Sequence, residues 1–222
     1  GEITVQQTVE EALSLIHKAP KQVHGSGRTD KGVHALGQVF HFESSLNMDG
    51  AAFQRALNAL LPKSTHILSV EAIEGFHARF DALAKTYSYT INTGDVNVFK
   101  RAYEYQLCQG LDVEAMIDAR SVFLGTHDFT SFNATELAIV KDQTRTITQL
   151  DIKDHDGIIT IVISGDGFLR YMVRMIVAAL VEVGRQRLTK EELQTMLLAQ
   201  DKTIFTKNVP SCGLVLVEVT YE

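Results

Sequence analysis

Apolar residues recur along this chain at two spacings, three-to-four and two, and the switches between them mark out the elements. Thr8-Val-Glu-Glu11 reads as a capping box: the Thr side chain caps first-turn amides while Glu11 reaches back. It opens a helix with Val9, Ala12, Leu13 and Ile16 on one face. Ala51 to Leu61 is a second helix, stopped by Pro62, which has no amide to continue the ladder. Asp112 caps a third, with Met116, Ala119, Val122 and Phe123 at helical spacing before Gly125. Phe168 to Val183 is a strongly apolar fourth helix closed by Gly184, and Thr189-Lys-Glu-Glu192 is a second capping box, opening a fifth.

The stretches Val33 to Phe42, Thr86 to Asn92, Ala102 to Gln109, Arg145 to Ile152, Ile158 to Ser164 and Leu214 to Tyr221 are rich in β-branched and aromatic residues. Several alternate, as in Tyr87, Tyr89 and Ile91 against Ser88 and Thr90, and are predicted strands. Asp156-Gly157 between two of them signals a tight hairpin. The sum predicts an α+β protein of mostly antiparallel sheet with helices on one side. The best division falls near Gln109–Gly110, giving subdomains 1–109 and 110–222, each with strands and helices.

Composition changes this picture little. The 222 residues are 45% hydrophobic and 22% charged, which excludes a disordered or low-complexity chain. The longest uncharged apolar run, Met175 to Val181, is far short of a bilayer span of about 20 residues. Cys108 and Cys212 form no local metal knuckle and fit a reducing compartment, so the expected location is the cytoplasm. Gly1 stands where a Met would start a natural chain, so the natural N-terminus is expected to be missing. Formal charge is −6, which argues mildly against nucleic acid. Its distribution matters more: from Gly167 to Arg187 four arginines face one acid, a net +3, which suits a basic cleft on an acidic protein.

Candidate chemistry gathers in His24-Gly-Ser-Gly-Arg-Thr-Asp-Lys-Gly-Val-His34, a glycine-rich loop before a strand. Three readings of Asp30 stand: a turn support, part of a phosphate cradle, or a nucleophile or general base held ionised by Arg28. The cradle lacks both the GxxxxGK[ST] spacing and a following helix. A second feature is aromatic density: residues 76 to 105 hold 7 of the 17 phenylalanines and tyrosines, with Arg79, Lys85, Lys100 and Arg101 among them. A basic and aromatic surface suits stacking on an extruded base, although core packing is the plainer account of most of these rings. The third feature is Arg170 and Arg174, one turn apart on an apolar helix. Each must reach water or pair with a carboxylate, for which Asp30 is the obvious candidate. The histidines show no metal spacing, no GxSxG elbow occurs, and His34 and His41 are expected on opposite faces of one strand.

Gly27-Arg-Thr-Asp-Lys-Gly-Val-His-Ala35 followed by Gly37-Gln-Val39 resembles the signature of the bacterial tRNA pseudouridine synthase A family. The likeness continues through Ala56-Leu-Asn-Ala-Leu-Leu-Pro62, Phe76-His-Ala-Arg-Phe80, Lys85-Thr-Tyr87, Gly125-Thr-His-Asp-Phe129 and Arg145-Thr-Ile147 to Gly167-Phe-Leu-Arg-Tyr-Met-Val-Arg174 and Gly213-Leu-Val-Leu. The resemblance implies a pseudouridine synthase fold with a cleft between two subdomains, no cofactor and no metal, and a cytoplasmic homodimer. It implies conversion of uridines 38, 39 and 40 in the tRNA anticodon arm. By motif, Asp30 matches the essential aspartate, Tyr87 the tyrosine stacked on the target base, and Arg174 the arginine paired with the aspartate. Arg28 matches a loop arginine that helps flip the base, and His34 and Arg79 are expected to bind substrate alongside Tyr87. The chain departs from the pattern in lacking an opening Tyr-Asp-Gly strand, in the segment after Asn92, and at Arg170 and Tyr171. A non-catalytic RNA-binding protein, a glycosidase and a small-molecule-binding α+β enzyme, which would need a cofactor loop that the sequence lacks, are the rival classes. The first needs no loop aspartate, and the second needs a partner carboxylate about 5 to 10 Å away.

Overall fold

The structure is a computed structural model describing residues 3–222. In chain order the elements are α1 (Val5–His17), β1 (His24–Gly25), β2 (His34–Ala35), β3 (Phe40–His41), α2 (Gly50–Leu60), β4 (Ala84–Asn92), β5 (Tyr105–Gln106), α3 (Val113–Ala119), β6 (Gly125–Asp128), β7 (Thr144–His155), β8 (Ile158–Gly165), α4 (Met172–Gly184), α5 (Lys190–Ala199) and β9 (Leu214–Thr220). Single 3-10 turns lie at Arg120–Val122, Thr130–Phe132 and Ser211–Gly213. Helices and a mixed, mostly antiparallel sheet make this an α+β chain.

Two compact units form, and the boundary between them does not run at 109/110. One unit comprises the residues up to Arg28 with Val39–Ala82, the other Thr29–Gln38 with Leu83–Glu222. The reason is strand pairing. β4, from before position 110, lies between β8 and β9, from after it, so one sheet spans the expected division.

In the first unit, α1 and α2 pack over Val9, Ala12, Leu13, Val23, Leu57, Leu61 and Ile67. The cap of α1 is Thr4, whose side chain accepts from the Gln7 amide, and not Thr8, whose hydroxyl donates to the Thr4 carbonyl. The helix thus starts a turn earlier than the Thr8 capping box suggests, because Thr4 offers the same acceptor in extended backbone. The predicted strand 33–42 is two short strands in different units. β3 pairs with β1 in register His24↔His41, the two imidazoles stacked 5.1 Å apart, whereas His34 lies in β2 of the second unit.

In the second unit the strand order is β2-β9-β4-β8-β7-β6, with β5 parallel to the end of β4. Asp156 and Gly157 both take positive φ (51° and 80°), which gives the β7–β8 hairpin its tight turn. Register places Tyr89, Ile161 and Ile152 side by side, and with Ile91, Leu150, Ile159 and Ile163 they share one core with α3, α4 and α5. Every residue of α4 is buried except Arg174. The helix begins at Met172 rather than Phe168, since Tyr171 sits in the left-handed region ahead of it (φ 62°). Gly184 ends it against Met116: a Cβ there would lie 2.7 Å from the Met116 sulfur. The strand expected over 102–109 shrinks to Tyr105–Gln106, and β6 was not anticipated. No helix among the described residues is long and apolar enough to cross a membrane.

Candidate active site

The aspartate loop is held on the second unit by backbone. β2 runs parallel to β9 in register His34↔Val215, and beyond it the Leu36 and Gly37 amides both donate to the Leu216 carbonyl, at 2.8 and 3.4 Å. Gly37 is required by this approach, because a Cβ would sit 2.5 Å from the Val217 carbonyl oxygen. Between Asp30 and β2 the loop turns tightly: the Val33 amide donates to the Asp30 carbonyl at 3.1 Å, and Gly32 takes φ 82°. Asp30 thus stands on a stiff turn with its side chain projecting from it.

Arg174, in the first turn of α4, reaches that side chain. Its Nη1 donates to Asp30 Oδ2 at 3.0 Å and its Nε to the Val209 carbonyl at 2.9 Å. The pair is not a two-point clamp on the carboxylate: one edge of the guanidinium is spent on the backbone, and the other holds one oxygen of Asp30. The arginine side chain is 15% exposed and the aspartate 31%. A cation nearly sequestered therefore fixes an anion that stays open to solvent.

Tyr87, in β4, pairs across the sheet with Leu216 and Ile163, and Phe168 meets its ring edge-on at 5.3 Å. Burial pushes the Tyr87 hydroxyl up to about 12, and the nearby Asp30 carboxylate pushes it the same way. Asp30, Tyr87 and Arg174 are thereby brought into one site. Tyr89, two positions on, is wholly buried and donates to the Pro210 carbonyl at 2.7 Å, which makes it a core residue. His34 is tied to the chain opposite it: its Nε2 lies 2.7 Å from the Ala102 carbonyl oxygen and its ring packs on Tyr103 at 4.6 Å. Arg28 and Arg79 belong to the first unit, where the Arg79 guanidinium lies 5.9 Å from the Phe80 ring centre. Among the described residues no cluster of three or more His, Cys, Asp or Glu is arranged to hold a metal ion.

A carboxylate fixed by a buried cation, beside a neutral phenol, is suited to attack or proton removal at a bound substrate. The comparisons with known proteins decide the class. A family model described as tRNA pseudouridine synthase matches residues 1–81 and 119–222. The chain belongs to that family. Its relatives include tRNA pseudouridine synthase A of Bacillus licheniformis and of Bacillus subtilis, each 41% identical over 226 residues, covering 100% of this chain and 91% of theirs. Another is tRNA pseudouridine synthase A 2 of Clostridium perfringens, 41% identical over 98% of this chain and 90% of its own. The protein is therefore an enzyme of the isomerase class. The matched ranges hold Asp30 and Arg174 but not residues 82–118, where Tyr87 lies.

One neighbour escaped the sequence reading. Tyr171, given no role there, lies with its ring centre 5.0 Å from the Arg174 guanidinium carbon. The signal was present in Arg170-Tyr-Met-Val-Arg174, an aromatic between two arginines at helical spacing.

Proposed function

We propose that this enzyme isomerises uridine to pseudouridine at positions 38, 39 and 40 in the anticodon stem-loop of tRNA, with Asp30 as the residue that acts first on the target nucleotide. The observation that carries the reading is the Asp30–Arg174 pair, because the half-open carboxylate keeps lone pairs for a substrate while its charge is held. Isomerisation breaks the bond from ribose C1′ to N1 and forms one from C1′ to C5. The C5 proton leaves, N1 gains one, and nothing else enters or departs. Asp30 serves whether it attacks the sugar, attacks the ring or removes a sugar proton.

Tyr87 supplies a ring to hold the detached uracil and a hydroxyl that keeps its proton at neutral pH, so its first contribution is stacking and hydrogen-bond donation. Arg28 and Arg79 supply positive charge for the phosphates of the anticodon arm, and extruding the base costs a few kcal/mol that such contacts offset. The resemblance of the motifs extends the reading to a cytoplasmic homodimer that uses no cofactor.

The test is release of tritium from C5-labelled uridine in a tRNA transcript. Wild type is expected to release it, and a transcript with cytidine at positions 38 to 40 is expected to yield none. Asp30→Asn should abolish release while tRNA binding stays within a few-fold. Turnover near wild type in that variant returns Asp30 to a turn-supporting role, and full release from the cytidine transcript moves the target elsewhere.

A further inference from the structure

We infer that Tyr171 is a positioning residue for the reaction: its ring is the wall that holds the Arg174 guanidinium in the orientation that fixes Asp30. The inference rests on the reading of Asp30 and Arg174 given above and goes beyond it, since neither the motifs nor the relatives' names assign this side chain anything.

Three observations converge. The first is contact. The Arg174 guanidinium carbon lies 5.0 Å from the Tyr171 ring centre and that of Arg170 lies 4.8 Å away, both within cation–π range. Arg170 Nη2 also donates to the Tyr171 hydroxyl at 3.2 Å, tethering the far end of the ring. The Arg174 guanidinium thus has an acceptor at each of two edges, Asp30 and the Val209 carbonyl, and an aromatic ring beside it. An arginine held only at its edges could still tilt about the line through the two bonds. The ring removes that freedom.

The second is backbone. Tyr171 takes φ 62° and ψ 0° at the cap of α4, a conformation costly for a bulky L residue and one that glycine would take freely. The surroundings impose it. The Arg170 amide donates to Thr135 Oγ1 at 2.9 Å and the Arg170 carbonyl accepts from Ala134 at 2.8 Å, while the Tyr171 carbonyl accepts from Met175 at 2.9 Å. Strain retained where a simpler residue would fit points to a use for the side chain.

The third is that the polar end of the side chain serves neither helix nor core. Tyr171 caps no amide of α4 and its hydroxyl accepts from Arg170, while its ring packs partly against the core beside Arg174.

The experiment compares Tyr171→Phe, Tyr171→Ala and Tyr171→Gly by tritium release and thermal melting. Glycine suits the left-handed backbone and alanine does not, so the glycine variant should melt higher than the alanine one. If the ring positions Arg174, both should nonetheless lose kcat by a similar factor, roughly tenfold, with KM little changed. Tyr171→Phe keeps the ring and should recover most of the rate. Three results overturn the inference: a glycine variant whose kcat returns with its stability, losses confined to KM, or a phenylalanine variant as slow as alanine. Failure of the wider reading looks different, because wild type itself would then release no label.

Discussion

Two carboxylates are held at opposite ends of one helix, and they are held differently. At the start of α4, Arg174 gives Asp30 a single hydrogen bond, and the carboxylate stays 31% exposed. At the end, Glu182 is 5% exposed and held at both oxygens: Arg185 donates to Oε1 at 3.0 Å, Arg187 approaches the same oxygen at 3.8 Å, and Lys207 holds Oε2. Burial alone would raise the Glu182 carboxyl, but the hydrogen bonds and charges of Lys207 and Arg185 outweigh it and leave the group below its usual value. The lesson is one of valence. A carboxylate held at both oxygens by three cations and cut off from water stabilises the fold, and one held at a single oxygen with its other face open is available to a ligand.

That contrast breaks if the two ends exchange effects. The largest expected effect is on stability. Glu182→Gln leaves Arg185 without its anion beside a buried Nε that already lacks a partner, and should cost about 3 kcal/mol, or roughly 10 °C in melting temperature. Tritium release per folded molecule should hardly move. The sign with pH follows from the depressed carboxyl. Its contribution is fully present above the unfolded value of 4.5 and is lost as pH falls through the lower folded value. The gap in melting temperature between wild type and Glu182→Gln should therefore narrow as pH falls below 4.5, and a gap that does not narrow at all assigns the loss to packing.

The next effect is on rate. Arg174→Ala removes the cation but leaves Asp30 partly hydrated, so the loss lies at the low end for truncated pairs, about 2 kcal/mol or roughly thirtyfold in kcat/KM. Arg174→Lys should regain little, because a single ammonium cannot serve Asp30 and the Val209 carbonyl at the angles a planar guanidinium does. A lysine variant at wild-type rate would show that charge alone is needed.

The smallest effect sharpens the chemistry at the open carboxylate. Tyr87→Phe should slow turnover roughly fivefold, the worth of one hydrogen bond. With the phenol raised to about 12, the ratio of wild type to Tyr87→Phe should stay flat from pH 7 to 10. A break in that ratio near pH 10 would mean a phenol at its ordinary value.

Much of this was legible in the sequence wherever the deciding interaction is local. The Asp112 and Thr189 caps, the Pro62 stop and the Asp156-Gly157 turn each act within four residues, and each stands where the pattern puts it. The misreadings have distant causes. Strand 33–42 breaks because Leu36 and Gly37 bond to Leu216, about 180 positions on, while Phe40 pairs with Gly25. The apolar run from Phe168 looked helical throughout, and only contacts from Ala134 and Thr135 force the turn at Tyr171. For the site, an arginine on an apolar helix narrowed the choice to water or a carboxylate partner, because an unpaired buried guanidinium is untenable. The Val209 carbonyl left no such clue, since every residue offers a backbone acceptor, and the Tyr171 ring showed only in its place between two arginines.

The pairing of β2 with β9 also sets an order in time. The strand that carries the aspartate loop is made early, but its neighbour in the sheet is the strand synthesised last among those described. While the chain is still emerging from the ribosome, residues 29 to 38 have no edge to bind, and Asp30 hangs on an untethered loop. The loop's fixed position therefore arrives only as β9 docks, and a chain interrupted before Leu214 would possess both members of the ion pair without the strand that holds the loop carrying Asp30.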